Sequence, residues 1–212
     1  RVYTAEIPEE LSTAFDEWIE TDLLKLQSWD IEKLVFDNHT IDEARGVVVP
    51  GDKVELAKKE FKWALEGMAE GEEFTEDKVR DATSELGQIK IVGVRPKPEG
   101  ITGRLETARG FEAQRLVDLL VARGFYPVRS GAIKSDEGEL IAVTNKGVRY
   151  TLRFGQVVYG TARELSAGSE GEGSEGQGAE GAEGEKAPEG LKPNRYLMVS
   201  VDFDESAIPT PD

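Results

Sequence analysis

The sequence contains no cysteine and a single histidine among its 212 residues. The lack of cysteine excludes disulfides, thiolate nucleophiles and thiolate metal sites. The histidine, His39, lies in the polar stretch FDNHTIDE, which holds no serine or cysteine. We therefore predict that His39 is a solvated turn residue, and not part of a Ser-His-Asp triad or a histidine-rich zinc site. No apolar run approaches the roughly 18 residues that a membrane span needs.

Basic residues are few relative to acidic ones. The chain carries 26 lysines and arginines against 42 aspartates and glutamates, which gives a net charge of −16. Residues 166–190 contribute −6 of that charge, so the remainder is acidic too, at −10. An acidic surface repels phosphate backbones and anionic lipid headgroups. We therefore expect no nucleic-acid partner and no membrane contact by this segment itself.

Large apolar side chains are absent from Ser166–Gly190, SAGSEGEGSEGQGAEGAEGEKAPEG, which holds no aromatic residue and no aliphatic residue larger than alanine. Such a tract cannot bury enough apolar surface to offset the entropy of ordering. GVRYTLRFGQVVYG before it and NRYLMVSVDF after it are strand-like. We therefore predict a disordered acidic insertion between two strands of one sheet. A folded domain tolerates such an insertion because doubling the length of a loop costs only about 0.6 kcal/mol.

Three stretches have signals that are typical of helices. Pro8–Leu26 carries an apolar stripe at three- and four-residue spacing, which predicts an amphipathic helix. Thr75 is a favourable N-cap, and the residues after it predict a helix that ends at Gly87. A third helix is predicted over Phe111–Arg123, where Gly124 would end it.

The remaining regular segments have strand patterns. Alternation is clearest in Val54–Glu66, which predicts a hairpin with its turn at Lys58–Glu60. A second hairpin is predicted from Glu139–Thr144 and Val148–Phe154, across a turn that contains Gly147. Further strands are predicted over Asp30–Asp37, Ile89–Val94 and Asn194–Phe203.

These elements predict an α+β fold, with antiparallel strands covered on one face by helices. Each half of the chain holds a helix, a hairpin and at least one further strand. We therefore predict two similar small units, residues 1–95 and 104–212, the second of which carries the acidic insertion at 166–190. The segment between them, RPKPEGITG, has two prolines and two glycines and is typical of a linker.

Several phrases carry a family resemblance: VYTAEIP, WDIEKLVFDN, VELAKKEFKWAL, IVGVRPKP, GVRYTLRFG and RYLMVSVDF. They resemble a bacterial family of unknown function, the domain-of-unknown-function family numbered 4340, in its planctomycete-type form. Trp63 and Tyr150–Gly155 match the positions where members close a hairpin and a strand. The resemblance implies an accessory or binding role on the periplasmic face, in a membrane-anchored protein that in some cases is encoded beside gliding-type ABC transporters. Because the chain opens at Arg1, we expect the anchor to lie in a segment outside it.

Three patterns could carry chemistry. Gly171–Gly176 matches the letters of a G-x-G-x-x-G phosphate loop, but its acidic surroundings lack the strand and helix that this mechanism needs. Asp202, Asp204 and Glu205 could offer oxygen ligands to calcium or magnesium, or they could solubilise a strand end. Aromatic residues could line a sugar-binding platform, although their spacing is more typical of a core. They are Trp18, Trp29, Trp63, Phe15, Phe36 and Phe61.

Arginines concentrate near the third helix, where they could face an acidic partner or lie in solvent. They are Arg104, Arg109, Arg115, Arg123 and Arg129. We assign no catalytic, cofactor-binding or metal-binding residue from the sequence. We expect a non-enzymatic binding or accessory domain with protein partners, which could include components of an ABC transporter. The alternative is a metal-assisted hydrolase that uses acidic residues. An exposed apolar groove would favour the binding module, and buried carboxylates in a cleft would favour the enzyme.

Overall fold

The computed structural model describes residues 12, 14–59, 61–68, 71, 74–95, 111–129, 131–160, 192–205 and 208. Their elements, in chain order, are a 3-10 turn (Phe15–Glu17), β1 (Ile31–Asp42), β2 (Val47–Lys59), β3 (Lys62–Leu65), α1 (Glu76–Gly87), α2 (Phe111–Val121), β4 (Phe125–Pro127), β5 (Ile133–Ser135), β6 (Glu139–Thr144), β7 (Val148–Gly160) and β8 (Lys192–Phe203). The predicted linker beyond Arg95 and the acidic insertion at 166–190, with its G-x-G-x-x-G match, lie outside the described residues.

Within the described residues, six strands form one antiparallel sheet in the order β3-β2-β1-β6-β7-β8, and β4 pairs with β5 in a separate ribbon. Two helices accompany these strands, so the predicted α+β class is confirmed. The pairing of β1 with β6 joins three strands from the first half of the chain to three from the second. The described strands of the units predicted at 1–95 and 104–212 therefore share one sheet. The division of the chain into two similar units stays a prediction.

Both predicted hairpins are present. β2 and β3 pair over four residues each, and the last pair is Lys59 with Lys62. β6 and β7 are joined by a tight turn in which Gly147 has a φ of +76°, a conformation that glycine adopts without steric cost. β1, β2 and β7 extend beyond their predicted ends because each finds a partner strand over the added length.

Apolar side chains gather in two clusters on opposite faces of the sheet. Leu197 and Val199 of β8 pack against the larger cluster, whereas Tyr196 and Met198 pack against the smaller one. Because successive side chains of a strand point to opposite faces, the two clusters lie on different sides. The larger cluster includes the buried face of α1 and the smaller one that of α2. The sequence predicts helices on one face of the sheet, whereas the structure has one helix packed against each cluster. The reason is that β8 carries apolar side chains on both faces, and each set is covered by a helix.

The two helices lie where the sequence predicts them. α1 begins after Thr75 and buries Val79 and Leu86. α2 ends at Val121, and Gly124 follows it with a φ of +80°. In both cases a local signal at the end of the helix coincides with an apolar stripe, which is why sequence alone located them.

The helix predicted over Pro8–Leu26 is wrong where the structure describes it. Phe15–Glu17 makes a single 3-10 turn, and no helix follows in residues 18–30. The apolar side chains of the expected stripe do not all pack against the same part of the structure: Leu26 is buried in the larger cluster, whereas Trp18 is 63% exposed. Helical propensity without packing of the apolar face is too weak to hold a helix.

The strand predicted over Ile89–Val94 is also wrong. It contributes only an isolated bridge between Lys90 and Asp22, beside which the Ile91 amide donates to the Thr21 carbonyl over 2.7 Å. The segment lies against residues 21–23 instead of within the large sheet. A short apolar run fits a strand and an irregular buried segment equally well, so the pattern could not separate them.

Candidate binding groove

A groove opens between the C-terminal end of α2, the segment 89–95 and β8. Its volume is about 310 Å³, close to the lower bound of about 300 Å³ for ligand pockets. Apolar side chains from these elements form most of its wall, among them Ile91, Leu120, Phe125 and Leu197. An apolar groove is the feature that favours the binding hypothesis over the enzyme.

The groove follows the edge of β8. Every residue from Asn194 to Val199 contributes to its lining. A groove on one face of the sheet would meet only every second residue, since side chains alternate between the faces of a strand. β8 is also the last strand in the described order of the sheet. The groove therefore lies at the margin of the sheet, where residues 89–95 and α2 form its other walls.

The charged side chains that line the groove are cationic. They belong to Lys90, Arg95, Arg123 and Arg195, and no aspartate or glutamate from the described part of the chain joins them. Lys90 is ion-paired with Asp22, which lies outside the lining. In a chain with a net charge of −16, the groove is a local reversal of sign. Cations beside an apolar wall attract an anion more strongly than the same charges in open water.

Arg95 has no carboxylate partner among the described residues. By comparison, Arg195 Nη1 lies 3.5 Å from Glu137 Oε2. Arg95 Nη1 donates to the neighbouring Val94 carbonyl over 3.1 Å, and its Nε atom is buried without a hydrogen-bond partner. Leaving a buried donor unsatisfied costs about 1–3 kcal/mol. A carboxylate placed beside Arg95 would accept a charge-assisted hydrogen bond and remove that cost.

Arg123 is the member of the predicted arginine cluster that reaches the groove. Its guanidinium lies 5.5 Å from the centre of the Tyr196 ring, a cation–π contact that stabilises the end of α2 against β8. The other members are not part of the described lining: Arg115 and Arg129 lie elsewhere, and Arg104 and Arg109 fall outside the described residues.

Backbone contacts hold the α2 side of the groove in place. The Gln156 amide donates to the Arg123 carbonyl over 2.9 Å, which ties the residues after α2 to β7. Gly155 permits this approach, because a Cβ atom there would lie 2.1 Å from the same carbonyl oxygen. A glycine at this position is therefore required by the close approach of two backbones.

His39 is not the solvated turn residue that the sequence predicts, and this prediction is wrong. Its side chain is 1% exposed and lies 3.9 Å from Asp37, measured from Nδ1 to Oδ1. Neither ring nitrogen has a hydrogen-bond partner. β1 runs on through this position because β2 pairs with it, and the register shifts beside Pro50, the partner of His39. Proline cannot donate to the ladder, which is typical of such irregularities.

The carboxylates near the end of β8 are placed separately from the groove. Asp204 forms an ion pair with Arg149, and its amide donates to the Gly147 carbonyl over 2.7 Å. Asp202 and Glu205 are exposed. In the described part of the chain, no group of three histidine, aspartate or glutamate side chains is arranged to hold a metal ion.

The aromatic residues that could have formed a sugar platform are divided between core and surface. Phe36 and Trp63 pack against the larger cluster. Trp18, Trp29 and Phe61 are 63%, 67% and 98% exposed, and the side chain of Phe15 is outside the described part. The structure therefore does not bring the six residues together in one binding surface.

A buried carboxylate, that of Glu139, lies in a network of opposite charges. Its Oε1 atom is 2.6 Å from Arg153 Nε and its Oε2 atom is 2.5 Å from Lys134 Nζ. Arg153 also donates to the Ser200 hydroxyl over 2.5 Å. Lys134 Nζ also lies 3.9 Å from Asp37 Oδ2 of β1, so the network links β1 with strands β5 to β8. It does not line the groove.

Among the described carboxyl groups, Asp136 has the surroundings that most resemble those of a general acid. Burial raises its pKa above the ordinary value, and the nearby charge of Glu137 adds to the effect. Gln156 Nε2 donates to one carboxyl oxygen over 3.0 Å, and the other oxygen is buried without a partner. Burial also raises the pKa of Tyr126, and the nearby carboxylate of Glu43 adds to the effect. Raised carboxyl pKa values are typical of acid catalysts, but Asp136 is not among the groove residues.

No protein-family model, curated protein or solved structure matches this chain. The resemblance to family 4340 therefore stays a prediction. None of the helices in the described ranges is both long and apolar enough to cross a membrane.

Sequence reasoning missed the groove. Nothing in the local pattern distinguishes Arg95 and Arg195 from other surface cations, and the pattern indicates only that Tyr196 belongs to a strand. One local signal was available, the stretch IVGVR, where a cation ends an apolar run in an otherwise acidic chain. That signal does not reveal the opposite wall, because β8 lies about a hundred residues further along the chain.

Proposed function

We propose that this chain is a non-enzymatic binding module, and that its groove receives an apolar segment of a partner protein that carries acidic side chains. The observation that supports the proposal is the lining of the groove, which is apolar apart from cationic and a few polar groups in a strongly acidic chain. The apolar wall favours burial of aliphatic side chains. The arginines select for negative charge, and Arg95 is the cation most in need of a carboxylate.

The shape of the groove favours an extended protein segment over a compact small molecule. It follows β8 over the six residues from Asn194 to Val199, which corresponds to roughly 20 Å of strand. A segment of similar length would contact residues 89–95 on one side and β8 on the other. Recognition by a groove at the margin of a sheet is a recurring mode of peptide binding.

The family resemblance supports the wider part of the proposal. We propose that the module works outside the cytoplasm, on the periplasmic face, as the accessory domain of a membrane-anchored protein. Its protein partners would include components of a gliding-type ABC transporter. This part of the proposal depends on the phrases shared with family 4340 and not on the groove.

Peptide display tests the groove. Random decapeptides retained by the chain should be enriched in aliphatic and acidic residues. In fluorescence anisotropy, Arg95→Glu should weaken binding of an enriched peptide at least tenfold, equivalent to about 1.4 kcal/mol. Arg45→Glu is the matched control, since Arg45 is 78% exposed in the turn between β1 and β2. Equal binding by the Arg95→Glu variant, or selection of basic peptides, would contradict the proposal. If the chain binds dodecanoate and no peptide, the occupant of the groove is a small amphiphile and not a protein segment.

A metal-assisted hydrolase is the second candidate, and the raised pKa of Asp136 is what favours it. It predicts hydrolysis of p-nitrophenyl ester or phosphate substrates in the presence of magnesium or calcium. Asp136→Asn should abolish such activity, whereas Arg95→Glu should leave it unchanged. This pair of variants separates the two candidate functions.

A further inference from the structure

Phe61 lies at the tip of the β2–β3 hairpin and is 98% exposed. Its φ is +65°, in the left-handed region where a side chain crowds its own backbone. Neither burial nor backbone preference accounts for a phenylalanine at this position, where glycine or asparagine would be favoured. A strained and fully exposed aromatic residue points to a role in contact with something outside the chain.

Two lysines flank this residue. Lys59 and Lys62 form the last pair of the hairpin, and both are exposed. Neither has an acidic partner among the described residues. Lys58 behaves differently, because its ammonium group is held over the Trp63 ring at 5.3 Å. Within the described residues, the tip therefore presents one apolar side chain between two cations that have no acidic partner. Glu60, which precedes Phe61 in the turn, lies outside the described residues. Counting Glu60, residues 59–62 carry a net charge of +1.

A second exposed aromatic residue lies at the same end of the sheet. Trp29, directly before the start of β1, is 67% exposed. Its carbonyl accepts a hydrogen bond from Lys58 Nζ over 3.1 Å. This bond holds Trp29 beside the hairpin, because Lys58 directly precedes Lys59, a member of the last pair. Phenylalanine and tryptophan side chains bordered by lysines are typical of surfaces that enter the interfacial layer of a membrane.

We infer that the hairpin tip docks on an anionic lipid surface. Phe61 enters the boundary between headgroups and acyl chains, Trp29 lies at headgroup level, and Lys59 and Lys62 contact the lipid phosphates. The net charge of −16 predicts the opposite, but net charge averages over the whole chain. At physiological ionic strength, charges further than about 8 Å from the lipid are largely screened.

Vesicle flotation with the complete chain tests this inference. We expect the chain to float with vesicles of equal parts phosphatidylglycerol and phosphatidylcholine, and less so as salt is added. Phe61→Ser should lower the bound fraction at least tenfold, in keeping with the loss of one buried aromatic side chain. Lys59→Gln with Lys62→Gln should weaken binding to the anionic vesicles and leave any binding to pure phosphatidylcholine unchanged.

Two matched controls separate the tip from general surface effects. Tyr159→Ser removes a 41% exposed aromatic side chain at the far end of β7, and Lys78→Gln removes an exposed lysine of α1. Both should float like the unaltered chain. Thermal unfolding of Phe61→Ser checks that it remains folded, which its complete exposure predicts. If the unaltered chain does not float, or if Phe61→Ser floats equally well, the inference is overturned; binding of the tip only to a partner protein overturns it as well.

Discussion

Lys58 and Trp63 face each other across the β2–β3 hairpin, with the lysine nitrogen 5.3 Å from the centre of the indole ring. Trp63 is half-buried against the larger core cluster, and the Lys58 side chain is only 13% exposed. The aliphatic stem of the lysine and the face of the ring shield each other from water. Trp63 is therefore covered on the β3 edge of the sheet, by the core cluster and by Lys58, in keeping with the core position that its spacing indicates.

Trp63→Ala should destabilise the fold by about 3 kcal/mol, at the lower end of the range for buried tryptophan because the ring is half-buried. Urea unfolding measures the change. Trp29→Ala is the control and should change stability by less than about 0.5 kcal/mol, since Trp29 is largely exposed. A Trp63→Ala variant that keeps its stability but loses carbohydrate binding would make Trp63 a ligand residue instead.

Glu55 should make stability depend on pH in the acid range. Hydrogen bonds from Lys33 and then from Lys53 lower its pKa from 4.5 to about 2. The folded-state value lies below the unfolded one, so the ionised carboxylate stabilises the fold above pH 4.5, and this stabilisation is lost as the pH falls towards 2. Glu55→Gln should therefore cost up to about 1 kcal/mol at neutral pH and almost nothing in strong acid.

Urea unfolding of the Glu55→Gln variant at neutral pH and near pH 2 checks this dependence. Glu85→Gln is the control, because Glu85 is an exposed residue of α1 and should give the same small change at both values. An equal loss for Glu55→Gln at both values would mean that the ion pairs with the two lysines do not stabilise the fold.

His39→Leu should increase stability by about 1 kcal/mol, because it removes two buried ring nitrogens that have no partner and leaves none unsatisfied. Leucine is of similar size and suits a strand interior. Chemical denaturation compares this variant with His39→Gln, which keeps a polar group in the same place and should not gain. A clear loss of stability on His39→Leu would show that the imidazole makes a contact that the fold needs.

Gly155→Ala should cost more than about 3 kcal/mol, the range of severe backbone conflicts. The added Cβ would lie 2.1 Å from the Arg123 carbonyl oxygen and 2.9 Å from the Phe125 ring, and backbone cannot move aside as a flexible side chain can. Gly131→Asn is the control, since nothing lies within 4 Å of a Cβ there and asparagine tolerates its φ of +80°. Thermal unfolding and peptide binding together report whether the fold and the α2 side of the groove survive.

Local signals were enough to locate a large part of the fold. The alternation in Val54–Glu66 led to a hairpin, although Phe61 itself is in the turn and not in the strand. Gly147 and Gly124 marked a turn and a helix end. In these cases the information lies within a few residues, because strand alternation, turn conformation and helix capping depend on immediate neighbours.

The candidate site could not be found in this way. Arg95 follows an apolar run that has the pattern of a strand, but in the structure this run is an irregular segment that forms one wall of the groove. His39 has polar neighbours in sequence, but the pairing of β1 with β2 buries it. Local sequence patterns are enough to specify the α+β class, both hairpins and the two described helices. Which segments meet depends on tertiary contacts, because the groove lies where α2, residues 89–95 and β8 converge. That convergence follows from the pairing of β1 with β6, between segments about a hundred residues apart, and no pattern within a local window specifies such a pairing.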